Sequence, residues 1–213
     1  MFTRQIASVL SIFFSLVLLF TASSCKKDEQ SEPQPIPQAG TVQINGKTYS
    51  TVSIGKQVWT TANYDGPGGI AYRSSGEKPE YGRYYTFEEV NAIQLPAGWR
   101  IPTMQDYMTL AESQGVVFSD HRATGQEVSK KLVSKTNWRT IPGTNASGFN
   151  AYPAGYSFRN NAPLDGDISE FWTIDGNTFS IQESANGKAH NVMFYKNSDS
   201  PEYRFNLRLV RTK

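Results

Sequence analysis

The dipeptides Asn45-Gly46, Asp175-Gly176 and Asn186-Gly187 constrain this chain more than any other feature. A tight hairpin turn needs positive φ at its central positions, which asparagine, aspartate and glycine tolerate and most residues do not. Around Asn45-Gly46, the segments Thr41-Val42-Gln43-Ile44 and Tyr49 to Ile54 alternate polar and apolar, the period of a half-buried strand. The body of the chain therefore opens with an antiparallel hairpin. A turn at Gly55-Lys56 leads into Gln57-Val58-Trp59 and extends it to a meander. The two later turns predict further hairpins beyond Phe149, and Phe205 to Val210 alternates as a closing strand.

Helical signals lie in the middle. Thr86 predicts a cap for a short helix carrying Phe87, Val90 and Ile93, with Glu88 and Glu89 in the first turn, where the helix dipole favours acids, and a stop before Pro96. Thr103 and Asp106 have the spacing of a capping box; Tyr107, Leu110 and Ala111 then share one face, and Gly115 ends the helix. Trp99 and Ile101 flank Arg100 and are expected to point into the core, away from it. A third helix is expected over Gly125 to Ser134, with Val128, Leu132 and Val133 as its apolar side and Lys130, Lys131 and Lys135 in water. Strands, then helices, then strands predict a single α+β domain with antiparallel sheets and two or three short helices.

Ahead of this body the chain reads as an address. Met1-Phe2-Thr3-Arg4-Gln5 is a cationic start, and Ile6 to Phe20 is apolar apart from small polar interruptions. As a helix that run extends roughly 22 Å at about 1.5 Å per residue, short of the roughly 30 Å hydrocarbon core, so residues 1–24 read as a secretory leader rather than a span. Ala22-Ser23-Ser24-Cys25 resembles a bacterial lipobox, which implies cleavage before Cys25 and acylation of its thiol. Each buried methylene contributes about 0.8 kcal/mol, so a multiply acylated cysteine holds to a membrane. Lys26-Lys27-Asp28-Glu29-Gln30 resembles the surface-export signals of Bacteroidetes lipoproteins. The expected location is the outer membrane, displayed at the cell surface, with a periplasm-facing position as the alternative. Prolines alternate through Ser31 to Ala39, making residues 25–39 a flexible Pro-rich tether that reaches about 45 Å at roughly 3.1 Å per residue. Residues 40–213 form the domain proper.

Counting removes several classes of function. Hydrophobic residues at 38% and charged residues at 19% argue against wholesale disorder and against a multi-span membrane protein. A formal charge of +2 gives no footprint for nucleic acid. With one cysteine and two histidines there is no intrachain disulfide, no paired-thiol oxidase and no thiol-rich zinc site. His121 sits in a polar run and His190 on a strand, so neither marks a nucleophile's base, while Glu88 and Glu89 diverge on a helix rather than face each other as a glycosidase pair.

Several segments together resemble the Fibrobacter succinogenes major paralogous domain, a family of secreted and lipid-anchored bacterial proteins. They are Val52-Ser53-Ile54-Gly55-Lys56-Gln57-Val58-Trp59, Tyr81-Gly82-Arg83-Tyr84-Tyr85, Leu95 to Thr103, Gly148 to Tyr156, Phe171-Trp172-Thr173 and Leu207-Arg208-Leu209-Val210. The resemblance implies a C-type-lectin-like α+β domain and no particular chemistry, so function has to be argued from a site.

The richest polar stretch is Arg159-Asn160-Asn161-Ala162-Pro163-Leu164-Asp165-Gly166-Asp167, beside Tyr152 and Tyr156. Planar and oxygen-bearing side chains of this kind suit stacking and hydrogen bonding to sugars or protein loops. The expected ligand contacts are therefore Tyr152, Tyr156, Arg159, Asn160, Asn161, Asp165 and Asp167. Calcium-loop spacing and the sugar-binding tripeptides of calcium-dependent lectins are absent, so no metal and no cofactor is expected. Lys130, Lys131, Lys135 and Arg139 read as a solvated face. The chain is expected to be a non-enzymatic binding or adhesion module for glycan or protein, attached to a membrane by its lipid. A structural component of the envelope and a glycan hydrolase acting through Asp165 and Asp167 are the alternatives.

Overall fold

The computed structural model describes residues 39–73 and 76–213, all within one compact unit, Ile36–Lys213. The leader, Cys25 and the tether to residue 38 lie outside the described residues. In chain order the strands are β1 (Ala39–Ile44), β2 (Lys47–Ile54), β3 (Gln57–Thr60), β4 (Ile70–Ala71), β5 (Arg83–Tyr84), β6 (Arg122–Gln126), β7 (Ser157–Phe158), β8 (Ile168–Trp172), β9 (Asn177–Glu183), β10 (His190–Lys196), β11 (Tyr203–Arg204) and β12 (Val210–Thr212). The two α-helices are α1 (Phe87–Asn91) and α2 (Met104–Glu112), with short 3-10 turns at Pro79–Tyr81 and Glu127–Lys131.

Two four-stranded antiparallel sheets dominate, ordered β1-β2-β3-β12 and β6-β10-β9-β8. The first is the expected meander, closed by the last strand of the chain. Asn45 and Gly46 both take positive φ, as the two-residue hairpin turn requires. Both α-helices start on capping boxes, Thr86 with Glu89 and Thr103 with Asp106, satisfying amide donors that have no partner in the first turn.

Helix α2 sits between the sheets. Tyr107 packs on Trp59 of β3 at 5.0 Å and stacks on Phe179 of β9 at 4.5 Å, so one side chain joins both sheets. Leu110, Ala111, Phe149, Phe171, Ile181 and Val192 complete that core. A second cluster, around Tyr85, Trp172, Phe205, Leu207 and Leu209, ties the closing segment to α1.

Two expectations are corrected. Residues 125–134 are not a helix: Gly125 has φ +59, outside the right-handed region, and donates its N–H to Asn191 Oδ1 at 2.8 Å, so the stretch is β6 running into one 3-10 turn. Nor is Phe205 to Val210 a strand with one wet face. Only Val210 belongs to a strand, and Asn206 and Arg208 are as buried as Phe205, Leu207 and Leu209, because each polar side chain finds interior acceptors. In the Trp99-Arg100-Ile101 stretch, Ile101 is buried while Trp99 is only half-buried, with the Arg211 guanidinium 5.9 Å from its ring centre.

Candidate functional site

Strand alternation gives the second sheet two unlike faces. Phe171, Phe179, Ile181 and Val192 face the core. The register sets Ile168, Glu170 and Trp172 of β8 beside Gln182, Ser180 and Thr178 of β9, on the opposite face. An open groove of about 1060 Å³ lies over this face. Tyr156, Tyr203 and Phe205 line one side, residues 163–168 another, and Gln182, Tyr195 and Asn197 belong to the sheet and the turn after it.

The aromatic side is a packed unit. The rings of Tyr203 and Phe205 lie nearly parallel, 5.8 Å apart, and Tyr156 contacts them at 5.7 and 5.8 Å. Burial raises the pKa of the Tyr156 phenol, and the neighbouring Tyr203, Glu170 and Asp167 push the same way.

The 163–167 stretch is held by its neighbours. Asp165 pairs with Lys78, whose ammonium lies 4.9 Å from the ring centres of Tyr72 and Tyr81. Asp167 pairs with Arg139 at 2.7 Å, and the other arm of that guanidinium donates to the Asp165 carbonyl at 3.1 Å. Gly155 donates to the Ile168 carbonyl at 2.8 Å, and its φ of +64 lets the backbone pass close under Leu164.

Glu170 is the unusual member. Its side chain is buried at the groove, 4% exposed, and burial pushes its carboxyl up to about 7, against the opposing effect of a hydrogen bond from Thr178. Thr178 Oγ1 donates to Oε1 at 2.6 Å and itself accepts from Asn197 Nδ2 at 2.8 Å, which fixes the direction of the chain. Oε2 has no protein partner among the described residues, and no Lys or Arg pairs with this carboxylate. Sequence reasoning missed Glu170, though an acid inside Ile168-Ser169-Glu170-Phe171-Trp172 is itself the signal: a charge in an otherwise buried strand.

The expected ligand contacts divide. Tyr156, Asp165 and Asp167 line the groove. Asn160 and Asn161 line a neighbouring depression of about 780 Å³ with Ile70 and Arg83. Tyr152 is half-buried, 6.1 Å from the Tyr81 ring, and Arg159 lies over Phe158 at 4.9 Å, outside both hollows. Among the described residues no group of three or more His, Cys, Asp or Glu side chains comes together as a metal site. His121 is exposed, and His190 is buried with both ring nitrogens unpartnered among the described residues.

The fold is one of antiparallel sheets around a capped helix, with a groove over one face of the second sheet. The chain belongs to the Fibrobacter succinogenes major domain family, whose model matches residues 52–211 and so takes in every strand that builds the groove. No curated protein and no solved structure matches the chain. Among the described residues no helix is long and apolar enough to cross a membrane.

Proposed function

We propose that this protein is a lipid-anchored recognition module of the bacterial cell surface, with a C-type-lectin-like body that binds a glycan without turning it over. The groove carries this reading. A pyranose has an apolar face of C–H groups and a rim of hydroxyls, and the groove offers both complements: the Tyr156 and Tyr203 rings, backed by buried Phe205, on one side, and Glu170, Gln182 and Asn197 beyond them. The leader, Cys25 and the proline tether support placement outside the cytosol, attached through the lipid.

The test is a glycan array probed with the full chain in detergent. Bound sugars whose signal falls in Tyr203→Ala and Tyr156→Ala, with melting temperatures retained, support the reading. A blank array sinks it and leaves the structural role in the envelope. A hydrolase is the second reading, favoured by Glu170 alone, since a buried carboxyl near neutrality is what a general acid requires. Oligosaccharide cleavage that disappears in Glu170→Gln would replace binding with catalysis.

A further inference from the structure

We propose that the sugar taken by this groove carries a free amino group, and that Glu170 is the side chain that binds it. The inference rests on the glycan-binding reading and adds the charge of the ligand. Around the groove the other ions are matched: Asp165 by Lys78, Asp167 by Arg139 at 2.7 Å, and Lys196 by Asp199 at 2.9 Å. Among the described residues, two carboxylates lining the groove have no cation. Glu183 is satisfied by backbone, accepting from the Thr140 and Ile141 amides at 2.8 Å each and from the Thr140 hydroxyl. Glu170 has a single donor, Thr178, and an unpartnered second oxygen at the groove.

A carboxyl so placed is largely withdrawn from water with no cation beside it, so its ionised form is costly and a ligand that brings a positive charge stabilises that form. An alkylammonium entering between Glu170 and the aromatic side gains a charge-assisted hydrogen bond to Oε2 and the favourable field of the ring faces. An anionic sugar would instead meet two uncompensated acids. A neutral sugar would offer the unpaired oxygen a hydroxyl donor but no countercharge. The hydrogen-bond chain from Asn197 through Thr178 keeps Oε1 occupied, so Oε2 is the oxygen left to receive the ligand.

The experiment compares two probes that differ in their nitrogen substituent, the β-1,4-linked tetramer of glucosamine and the same tetramer of N-acetylglucosamine, titrated calorimetrically into the full chain in detergent at pH 7, where the Glu170 carboxyl of the free protein is about half ionised. The amine-bearing tetramer is expected to bind at least about tenfold more tightly, and Glu170→Gln to remove that preference while the melting temperature holds. Thr178→Val, which frees Oε1 but keeps the carboxyl, should retain the preference. Equal binding of the two tetramers, or a preference that survives Glu170→Gln, overturns the assignment and leaves glycan binding intact. Failure of both tetramers to bind, with the array positive for other sugars, overturns the amine requirement alone; a blank array as well removes the parent reading.

Discussion

Arg208 donates its Nε–H to Asn63 Oδ1 at 2.6 Å across 145 positions of chain, buried and without an Asp or Glu partner among the described residues. Its remaining donors reach the carbonyls of Thr60, Phe149 and Asn150, each at 2.9 Å, and the guanidinium lies 4.9 Å from the Phe149 ring centre and 5.5 Å from that of Phe171. Burial lowers its pKa to about 9, so it is still charged at neutral pH. Asn63 is oriented in turn by donating to the Tyr81 carbonyl at 2.8 Å. One cation thus pins the closing segment to the end of β3 and to the loop at 149–150.

Lysine cannot reproduce that fork. Arg208→Lys keeps the charge but strands most of the four acceptors, and is expected to cost about 3 kcal/mol or more in urea denaturation. A loss below about 1 kcal/mol would show that the acceptors find water instead.

Asp106 serves three partners. It accepts from the Thr103 amide at 2.7 Å as the cap of α2, from Arg100 Nη2 at 2.7 Å and from Gln57 Nε2 at 3.0 Å. Burial opposes its ionisation, yet Arg100 and the Thr103 donors together hold the carboxyl below its usual range. Its stabilising contribution is therefore present above pH 3.8 and lost as the pH falls toward its folded value. Asp106→Ala is expected to cost about 2–3 kcal/mol and Arg100→Ala, whose side chain is 42% exposed, about 1 kcal/mol. A double-mutant cycle measures the coupling.

Glu170 and His190 oppose each other in pH. The Glu170 carboxyl, raised from 4.5 to about 7, favours the folded state in acid, and that advantage drains away as pH rises through 7. The His190 imidazole, lowered from 6.5 to about 4 by burial despite the counteracting Glu183, favours the folded state above 6.5 and loses that advantage as pH falls through 4; Lys130 and Glu127 face it as well. Each amounts to about 3 kcal/mol at most. Between pH 4.5 and 6.5 the two slopes cancel. Glu170→Gln should then unmask stability that rises with pH, and His190→Phe stability that falls, both read from melting temperatures across that window.

Gly155→Ala tests the groove wall. At φ +64 an added Cβ would overlap the Leu164 carbonyl, so the 163–167 stretch has to move. The expected loss is more than about 2 kcal/mol, with faster amide exchange across 163–167. Unchanged exchange there would show that the stretch is held by Lys78 and Arg139 alone.

What was readable in the sequence was whatever depends on neighbours along the chain. The turn at Asn45-Gly46, the caps at Thr86 and Thr103, and the buried face of Tyr107, Leu110 and Ala111 all follow from φ preference or from spacing within a few residues. The amphipathic period at 125–134 misled for the same reason: it measured local pattern, while pairing of β6 with β10 overrode it. Arg139, read as a solvated cation, is exposed and also bridges Asp167 and the Asp165 carbonyl, and Glu170, passed over, became the acid at the groove.

By itself, then, the sequence determined hairpins, helix caps and family membership, because backbone conformation and motif order are written in short stretches. Only the tertiary structure decided that Arg208 is an interior cation, that Tyr156 shares a groove with Asp165 and Asp167 while Arg159 does not, and that Glu170 lies without a countercharge. Burial and ion pairing are properties of residues brought together from far along the chain, and desolvation acts only once they have met.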